Sequence, residues 1–331
     1  MAARERSTFQ PATFRVLGPL EVISGNGQEI PITQHVHRAA LAVMLLRAGD
    51  VCPRSWLTEA IWGERPPASG HTALRTAVYG LRQELRDHDL GGRIQTRQAG
   101  PRPGGYMIET RDGEVDLHSF RALTAAGRDE WYRGKADRAA SALGEAVHLW
   151  RADLPDLPAT PVLAPEAAQL RAEFRAAQDM WMDARLALGQ HEDAVAGLRR
   201  ILNREPLREH TWAQLMRALY RCGDKAGALA AFSAARAALA AGYGAGPGPE
   251  LAELLRQVLA DSPDLTWGGA AGEMRSQLPA QADARQGTHD PSELGHEQAG
   301  PIEIAPALSR GSVAAALDSR ASAAARPHIE L

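Results

Sequence analysis

Three arginines and a tyrosine recur at helical spacing in the segment 72–86, and their chemistry suits nucleic acid. The positions, which one face of a helix would share, are Arg75, Tyr79, Arg82 and Arg86. A guanidinium can donate two hydrogen bonds to a guanine edge, and either side-chain type can contact a phosphate. A second stripe at the same spacing is apolar and predicts burial; it consists of Leu74, Val78, Leu81 and Leu85. The pattern favours a DNA-reading helix, while a merely solvated outer face is the alternative that the stripe alone leaves open.

Two short strand patterns follow this helix and predict a β-hairpin with basic residues. The strands, at residues 94–97 and 105–109, flank a segment rich in proline and glycine that reads as a long, partly stiffened loop, 98–104. Arg97 and Arg102 are candidates for phosphate or minor-groove contacts from this hairpin. A groove-reading helix followed by a basic hairpin is the arrangement of a winged-helix domain.

The chain before this helix supplies the rest of a small α+β domain. Alternating apolar residues and a Gly-Asn-Gly turn predict an antiparallel sheet within 14–32. A nearly all-apolar helix at about 37–47 should be buried, and a second helix at about 53–62 ends before two prolines. The order of sheet, three helices and hairpin weakens the solvated-face alternative. We therefore predict a winged helix-turn-helix DNA-binding domain over 13–110, after a disordered segment 1–12.

The second half of the chain is helical in pattern and contains a repeat. Gly189 and Gly223 occupy equivalent places in two similar segments, 34 positions apart. That spacing is the period of tetratricopeptide repeats, in which helix pairs stack to bury their apolar faces. Gly134 marks a possible earlier and more degenerate unit. We predict an all-α tetratricopeptide-like domain over 115–265 and a disordered tail over 266–331.

Composition and charge narrow the function class. The chain has 331 residues and a net charge of −3, yet between positions 71 and 105 six arginines face three acidic residues. No apolar run of about 18 residues predicts a membrane span, and no apolar segment follows the basic start as in a secretory signal. His35 and His37 lack a third metal ligand in the sequence, and no catalytic or nucleotide-binding motif stands out. We expect a cytoplasmic, nucleoid-associated protein that is not an enzyme, needs no cofactor or metal and contacts no membrane.

Several segments resemble the SARP family, the antibiotic regulatory proteins of actinobacteria. In the first half these include FRVLGPLEV (14–22), RAALA (38–42), LTEAIWG (57–63), TALR (72–75), GLR (80–82) and GYMI (105–108). In the second half they include VDLHSF (115–120), LWR (149–151), PLRE (206–209), LMRALYR (215–221) and GPGPEL (246–251). The similarity covers about residues 13–265, and the order of the segments is far more specific than any one of them.

The resemblance implies an OmpR-type winged helix followed by a bacterial transcriptional activation domain. It implies binding to tandem direct repeats upstream of promoters, contact with the RNA polymerase holoenzyme and control of a secondary-metabolite gene cluster. Direct repeats imply head-to-tail self-association on DNA. It also implies a phosphate contact for Arg38, at the start of the first helix. The groove-facing residues that the family pattern implies are Thr72, Arg75, Thr76, Tyr79 and Arg82.

Two features depart from the family pattern. Gly80 stands where the family often has arginine, and a glycine inside a helix costs about 1 kcal/mol. The predicted hairpin tip is also longer and richer in proline and glycine than is usual. The alternative function is a protein-interaction scaffold of the tetratricopeptide type with a degenerate DNA-binding domain. Gly80 and the negative net charge favour that alternative mildly, and the arginine stripe and hairpin favour the activator.

Overall fold

Ten α-helices and five short strands form the part of the chain that the computed structural model describes, residues 11–99 and 102–269. The N-terminal domain contains β1 Thr13–Arg15, β2 Glu21–Ile23, α1 His35–Leu46, β3 Cys52–Pro53, α2 Arg54–Trp62, α3 Gly70–Arg86, β4 Ile94–Ala99 and β5 Arg102–Ile108. The C-terminal domain contains α4 Asp116–Tyr132, α5 Ala136–Leu149, α6 Ala164–Ala187, α7 His191–Arg204, α8 Glu209–Arg221, α9 Lys225–Tyr243 and α10 Pro249–Leu259. The predicted fold class, an α+β domain followed by an all-helical domain, is confirmed.

Helix α3 is held by its apolar stripe. Leu74, Val78, Leu81 and Leu85 are all buried, and α3 packs on α1 and α2. Since the buried positions recur every three or four residues, the opposite face of α3 is left exposed. The helix starts at Gly70, two residues before the predicted start.

The hairpin after α3, hereafter the wing, differs from its prediction. β4 and β5 pair as far as Ala99 and Arg102, so only residues 100 and 101, which are outside the described part, separate the strands. The segment predicted as a long loop therefore belongs mostly to the strands. The reason is a third strand: β3 pairs with β5, and a Cβ on Gly105 would lie 2.2 Å from the carbonyl oxygen of Cys52. Glycine in this segment lets the backbones of β3 and β5 approach closely, and it does not mark a loop.

Three turns repeat along the helical domain. Gly134, Gly189 and Gly223 follow α4, α6 and α8, and their φ values are 79°, 79° and 82°. This left-handed conformation suits glycine, which lacks the Cβ that would clash. Each turn joins two helices, which gives the pairs α4–α5, α6–α7 and α8–α9, and α10 packs on α8 and α9. The degenerate unit at Gly134 therefore has the same turn as the two clearer ones.

The two domains share one apolar core and are joined by buried polar contacts. Phe14 and Leu17 of the first domain lie in the same cluster as Leu117 and Phe120 of the second. The carboxylate of Asp116 accepts hydrogen bonds from the backbone N–H of Val16, at 2.8 Å, and of Leu17, at 3.0 Å. Burial raises the pKa of Asp116 despite these donors, which lower it. Each carboxylate oxygen thus satisfies a backbone donor that a buried edge would otherwise leave unpaired.

A second polar contact closes the same junction. Asp156, in the loop between α5 and α6, pairs with Arg38 on α1 at 2.6 Å and accepts the N–H of Leu20 at 2.7 Å. Arg38 also donates to the carbonyl of Leu20 at 2.9 Å. Burial alone would raise the pKa of Asp156, but the bonds from Arg38 and Leu20 outweigh it and hold the pKa below its ordinary value of 3.8.

The predicted domain limits, 13–110 and 115–265, remain predictions, and the predicted disordered ends lie mostly outside the described residues. At their inner edges, two described residues make contacts within the fold. Ala12 is buried, and the indole N–H of Trp267 donates to the carbonyl of Ala187 at 2.9 Å. In the described part, no helix is both long and apolar enough to cross a lipid bilayer.

The Arg38–Asp156 pair gives a stability prediction. The Asp156→Asn variant should lower the free energy of unfolding by about 1–2 kcal/mol, because it leaves a partly buried guanidinium without its carboxylate. The contribution of a carboxylate with a lowered pKa is present above its ordinary pKa and is lost as pH falls through the folded value. The difference between wild type and variant should therefore shrink in acid, which denaturant titrations at neutral and acidic pH will measure.

Asp153→Asn is the matched control, because Asp153 lies in the same loop and pairs with Arg171 on the surface. It should change stability by less than about 1 kcal/mol. Equal effects of the two variants would contradict a special role for Asp156 at the junction.

Candidate nucleic-acid interface

The exposed face of α3 carries most of the residues proposed to read DNA. Thr72, Arg75, Thr76 and Tyr79 are all exposed, and Tyr79 keeps 63% of its surface open to solvent. Arg86 is the last residue of the same helix and is also exposed. An α-helix with such a face can enter the major groove, where guanidinium, hydroxyl and phenol groups meet base edges and phosphates.

Gln83 belongs to this face and was not singled out from the sequence. Positions 72, 76, 79, 83 and 86 are spaced by four, three, four and three residues, so they form one exposed row along α3, and Arg75 lies beside position 79 on the same face. Gln83 is half-buried at this place. An amide can make two hydrogen bonds to an adenine edge, which makes Gln83 a further candidate. Helical spacing is the signal in the sequence that identifies Gln83, although its side chain, unlike those of the arginines, carries no charge.

Arg82 lies against the wing rather than pointing freely away from α3. Its Nε donates to the carbonyl of Ile94 at 2.9 Å, and its Nη2 donates to the hydroxyl of Thr96 at 2.9 Å. The guanidinium also lies 5.8 Å from the ring centre of Tyr106 on β5, within cation–π range. Arg82 therefore links α3 to the wing, and two of its donor atoms are engaged within the protein.

Arg54 at the start of α2 is a second arginine at the same tyrosine. Its guanidinium lies 5.6 Å from the ring centre of Tyr106, on which Arg82 also acts. Tyr106 is buried. Two guanidiniums thus converge between α2, α3 and the wing. Arg54 could not be identified from the sequence, since no local pattern connects position 54 with position 106.

The wing contributes one cation whose side chain is described. Arg97 pairs with Glu109 across the hairpin at 2.9 Å, and both side chains are more than 40% exposed. An ion pair that exposed contributes little, so Arg97 can exchange Glu109 for a phosphate at low cost. Arg102 lies in β5 opposite Ala99, and its side chain is outside the described part.

Arg38 requires a correction. Its guanidinium is engaged by Asp156 and by the carbonyls of Ile32 and Leu20. These contacts hold it inside the junction of the two domains, where they replace the phosphate contact that the family pattern implied. The physical reason is the partly buried carboxylate of Asp156, which is 118 positions away in sequence.

Gly80 has a packing reason. A Cβ at position 80 would lie 2.5 Å from Cε1 of His37, a side chain on α1 that is only 5% exposed. His37 in turn lies 3.1 Å, through Nδ1, from a carboxylate oxygen of Glu84 on α3. The imidazole therefore fills the space that a larger residue at position 80 would need. His37 is committed to the contact of α1 with α3, and among the described residues no group of three metal-ligating side chains occurs.

Free positive charge remains at the exposed face. In the part of the chain that the structure describes, Arg75 and Arg86 make no ion pair or side-chain hydrogen bond. Both guanidiniums can therefore bind an incoming anion without first breaking an internal contact. A cationic helix face beside an arginine-bearing wing is the electrostatic form expected of a duplex-DNA reader.

Comparisons with known proteins agree with this geometry. The family model described as "Bacterial transcriptional activator domain" matches residues 115–259. The chain is 30% identical over 262 residues to the regulatory protein DnrI of Streptomyces peucetius, an alignment that covers 77% of this chain and 95% of DnrI. It is 31% identical to the regulatory protein AfsR of Streptomyces griseus over 77% of this chain, but it spans only 26% of AfsR.

A solved structure has the same architecture. EmbR of Mycobacterium tuberculosis, solved in complex with a low-affinity phosphopeptide, superposes with a TM-score of 0.71 at 27% identity. The match covers 81% of this chain and 69% of the EmbR chain. The α+β domain and the helical domain are therefore shared by both proteins.

The fit of His37 against Gly80 gives a prediction. In a solvated helix, glycine to alanine adds about 1 kcal/mol of stability. Gly80→Ala should instead lower the free energy of unfolding by about 1–2 kcal/mol, because the new methyl overlaps His37. Denaturant titrations of Gly80→Ala, His37→Ala and the double variant will measure this, and the double variant should be more stable than the sum of the single effects predicts.

Gly92→Ala is the control, because a Cβ at position 92 would have no atom within 4 Å. It should leave stability nearly unchanged. A neutral or stabilising effect of Gly80→Ala would show that His37 does not determine the glycine.

Proposed function

Because this chain belongs to the SARP family of transcriptional regulators, we propose that α3 reads duplex DNA at promoters and that the helical domain recruits the transcription machinery. The observation that carries this proposal is the exposed row on α3. Thr72, Arg75, Thr76 and Tyr79 lie on it without covering structure, beside a wing that ends in basic residues.

The contacts divide by their chemistry. Arg75 and Tyr79, in the middle of the row, are the proposed base-edge readers, with Thr72 and Thr76 beside them. Arg86 and Arg97 are the proposed phosphate contacts at the two sides, with Arg102 further along the wing. Arg82 acts mainly by positioning, since its bonds to Ile94 and Thr96 hold the wing at a fixed distance from α3.

The operator and partners follow from the family. We propose tandem direct repeats upstream of the promoter, occupied head-to-tail by self-associating protomers about one helical turn apart. The RNA polymerase holoenzyme is the proposed partner of the helical domain. The regulated genes are proposed to encode a secondary-metabolite pathway such as that of an antibiotic.

The shared core of the two domains supports recruitment. Asp116 and Asp156 of the helical domain bind backbone groups of the N-terminal domain directly. A helical domain held in this way takes a defined direction once α3 is seated in a groove. That direction is what a recruited polymerase requires.

The proposal includes the type of activity and its location in the cell. The activity is binding rather than catalysis, without a cofactor, and its place is the nucleoid within the cytoplasm. A scaffold with a degenerate DNA-binding domain was favoured in the sequence by Gly80 and by the negative net charge. The contact of His37 with Gly80 accounts for that glycine by packing, so the observation no longer favours the scaffold.

The test begins with operator selection. Purified full-length protein is incubated with genomic fragments of its source organism, and bound fragments are sequenced and footprinted at a stated salt concentration. We expect enrichment of a promoter with two direct repeats. Enrichment of nothing above background by protein with a cooperative thermal transition would contradict the proposal.

The selected operator then tests α3 itself. Arg75→Ala should weaken operator binding by about 1–3 kcal/mol and relax the preference at one base position, because it removes a base-edge reader. Arg86→Ala should weaken specific and non-specific binding alike and reduce the dependence of affinity on salt by about one ion. Arg138→Ala, an exposed arginine on α5, is the control and should leave affinity unchanged; a loss equal to that of Arg75→Ala would remove α3 as the reader.

A further inference from the structure

A groove in the helical domain is not used by the DNA-reading face. It lies between α6, α7 and the loop at residues 150–153, and its volume is about 610 Å³. Cavities that bind small molecules usually measure about 300–1,000 Å³. Its size therefore suits one ligand of moderate size, and its lining determines which kind.

The floor of the groove is aromatic. The rings of Trp150 and Phe174 are stacked with their centres 4.7 Å apart, and Trp181 and Met182 continue the apolar surface along α6. Gly197 of α7 faces Met182, and a Cβ there would lie 3.1 Å from its terminal methyl. A glycine at this place lets α7 approach α6 closely and adds no side chain to the groove. Flat aromatic walls of this kind bind flat apolar bodies by stacking.

The rim of the groove is cationic. Six arginines and only two carboxylates line it. Four of the arginines are ion-paired. Arg171 pairs with Asp153 and Arg175 with Glu205, both at 2.9 Å, while Arg208 pairs with Asp179 and Arg151 with Glu21. The groove thus keeps an excess of positive charge over an apolar floor.

Two rim arginines are free. Arg200 and Arg204 are exposed on α7 one turn apart, and within residues 102–269 they make no ion pair or side-chain hydrogen bond. Like charges at this spacing on a helix repel each other. An anion in the groove would relieve that repulsion and gain charge-assisted hydrogen bonds at the same time.

We propose that this groove binds a small amphipathic anion, a planar aromatic body that carries a carboxylate, sulfonate or phosphate. The aromatic body stacks on Trp150 and Phe174, and the anionic group is bound by Arg200 and Arg204. The volume favours a single compact molecule over an extended chain, which would need a longer channel. This site is independent of the proposed contact between α3 and DNA.

The probe for the test is 1-anilinonaphthalene-8-sulfonate, a small aromatic anion whose fluorescence rises in apolar surroundings. Its matched control is N-phenyl-1-naphthylamine, which has the same aromatic body without the sulfonate. Titrated into the full chain, the anionic probe should bind at one site and at least about tenfold more tightly than the neutral one. Equal affinity for the two probes would overturn the assignment to an anion.

Substitutions test whether the probe binds in this groove. The double variant Arg200→Gln with Arg204→Gln should lower the affinity for the anionic probe at least about tenfold, because both proposed anion ligands are lost. The control pair, Arg199→Gln with Arg236→Gln, removes the same charge from exposed positions outside the groove and should change the affinity less than about twofold. All four substitutions are on exposed side chains, and thermal transitions will show that the variants fold. Equal effects of the two pairs would mean that the probe follows net charge and not this groove.

A competition decides the class of ligand. Naphthalene-2-carboxylate should displace the bound sulfonate at lower concentration than a glutamate-rich peptide containing one tryptophan. Displacement by the peptide at the lower concentration would overturn the small-molecule assignment and would indicate that the groove binds an acidic protein segment.

Discussion

The structure depends on two carboxylates that bind the backbone of a domain to which they do not belong. Asp116 accepts the N–H groups of Val16 and Leu17, and Asp156 accepts that of Leu20 while it pairs with Arg38. These contacts occupy the strand-to-strand turn of the N-terminal domain, next to a core that both domains fill. Without them, buried donors of that turn would have no acceptor. The winged helix and the helical repeat are therefore parts of one packed unit, although each has its own architecture.

Inside that unit, the proposed recognition surface is positioned by residues whose side chains are engaged within the protein. His37 sets the approach of α1 to α3 at Gly80, and Arg82 sets the approach of α3 to the wing at Ile94 and Thr96. Tyr106 lies between the guanidiniums of Arg54 and Arg82. The exposed side chains of α3 can be substituted without disturbing the fold, because Thr72, Arg75, Thr76 and Tyr79 make, within the described part of the chain, no contact that stabilises it.

What could be predicted from the sequence is what depends on local periodicity. The buried stripe of Leu74, Val78, Leu81 and Leu85 fixed the rotation of α3, and hence the exposure of Arg75 and Tyr79. The turn glycines at positions 189 and 223 gave the helix pairs for the same reason. A period of three to four residues, or of 34, is visible in one sequence because it repeats.

What could not be predicted depends on a partner far along the chain. Arg38 looked like a phosphate ligand because its partner, Asp156, is 118 positions away. The segment 98–104 of the wing looked like a loop because nothing near Gly105 shows that the carbonyl of Cys52 approaches it. Gly80 looked like the loss of a phosphate contact, because the sequence does not show that the imidazole of His37 packs against position 80. In each case the residue type was compatible with two environments, and only tertiary packing selected one.

The shared core also limits how this protein can be taken apart or recombined. An isolated N-terminal domain would expose the apolar surface of Phe14 and Leu17 and would leave Arg38 without its carboxylate. A chimera that joins this DNA-reading domain to another helical domain must therefore bring along acceptors equivalent to Asp116 and Asp156, in the same places. On the proposed function, a change of DNA preference within an intact chain is less restricted, because substitutions on the exposed face of α3 leave the junction untouched. Regulators built in this way can acquire new operators by point substitution far more easily than by exchange of domains.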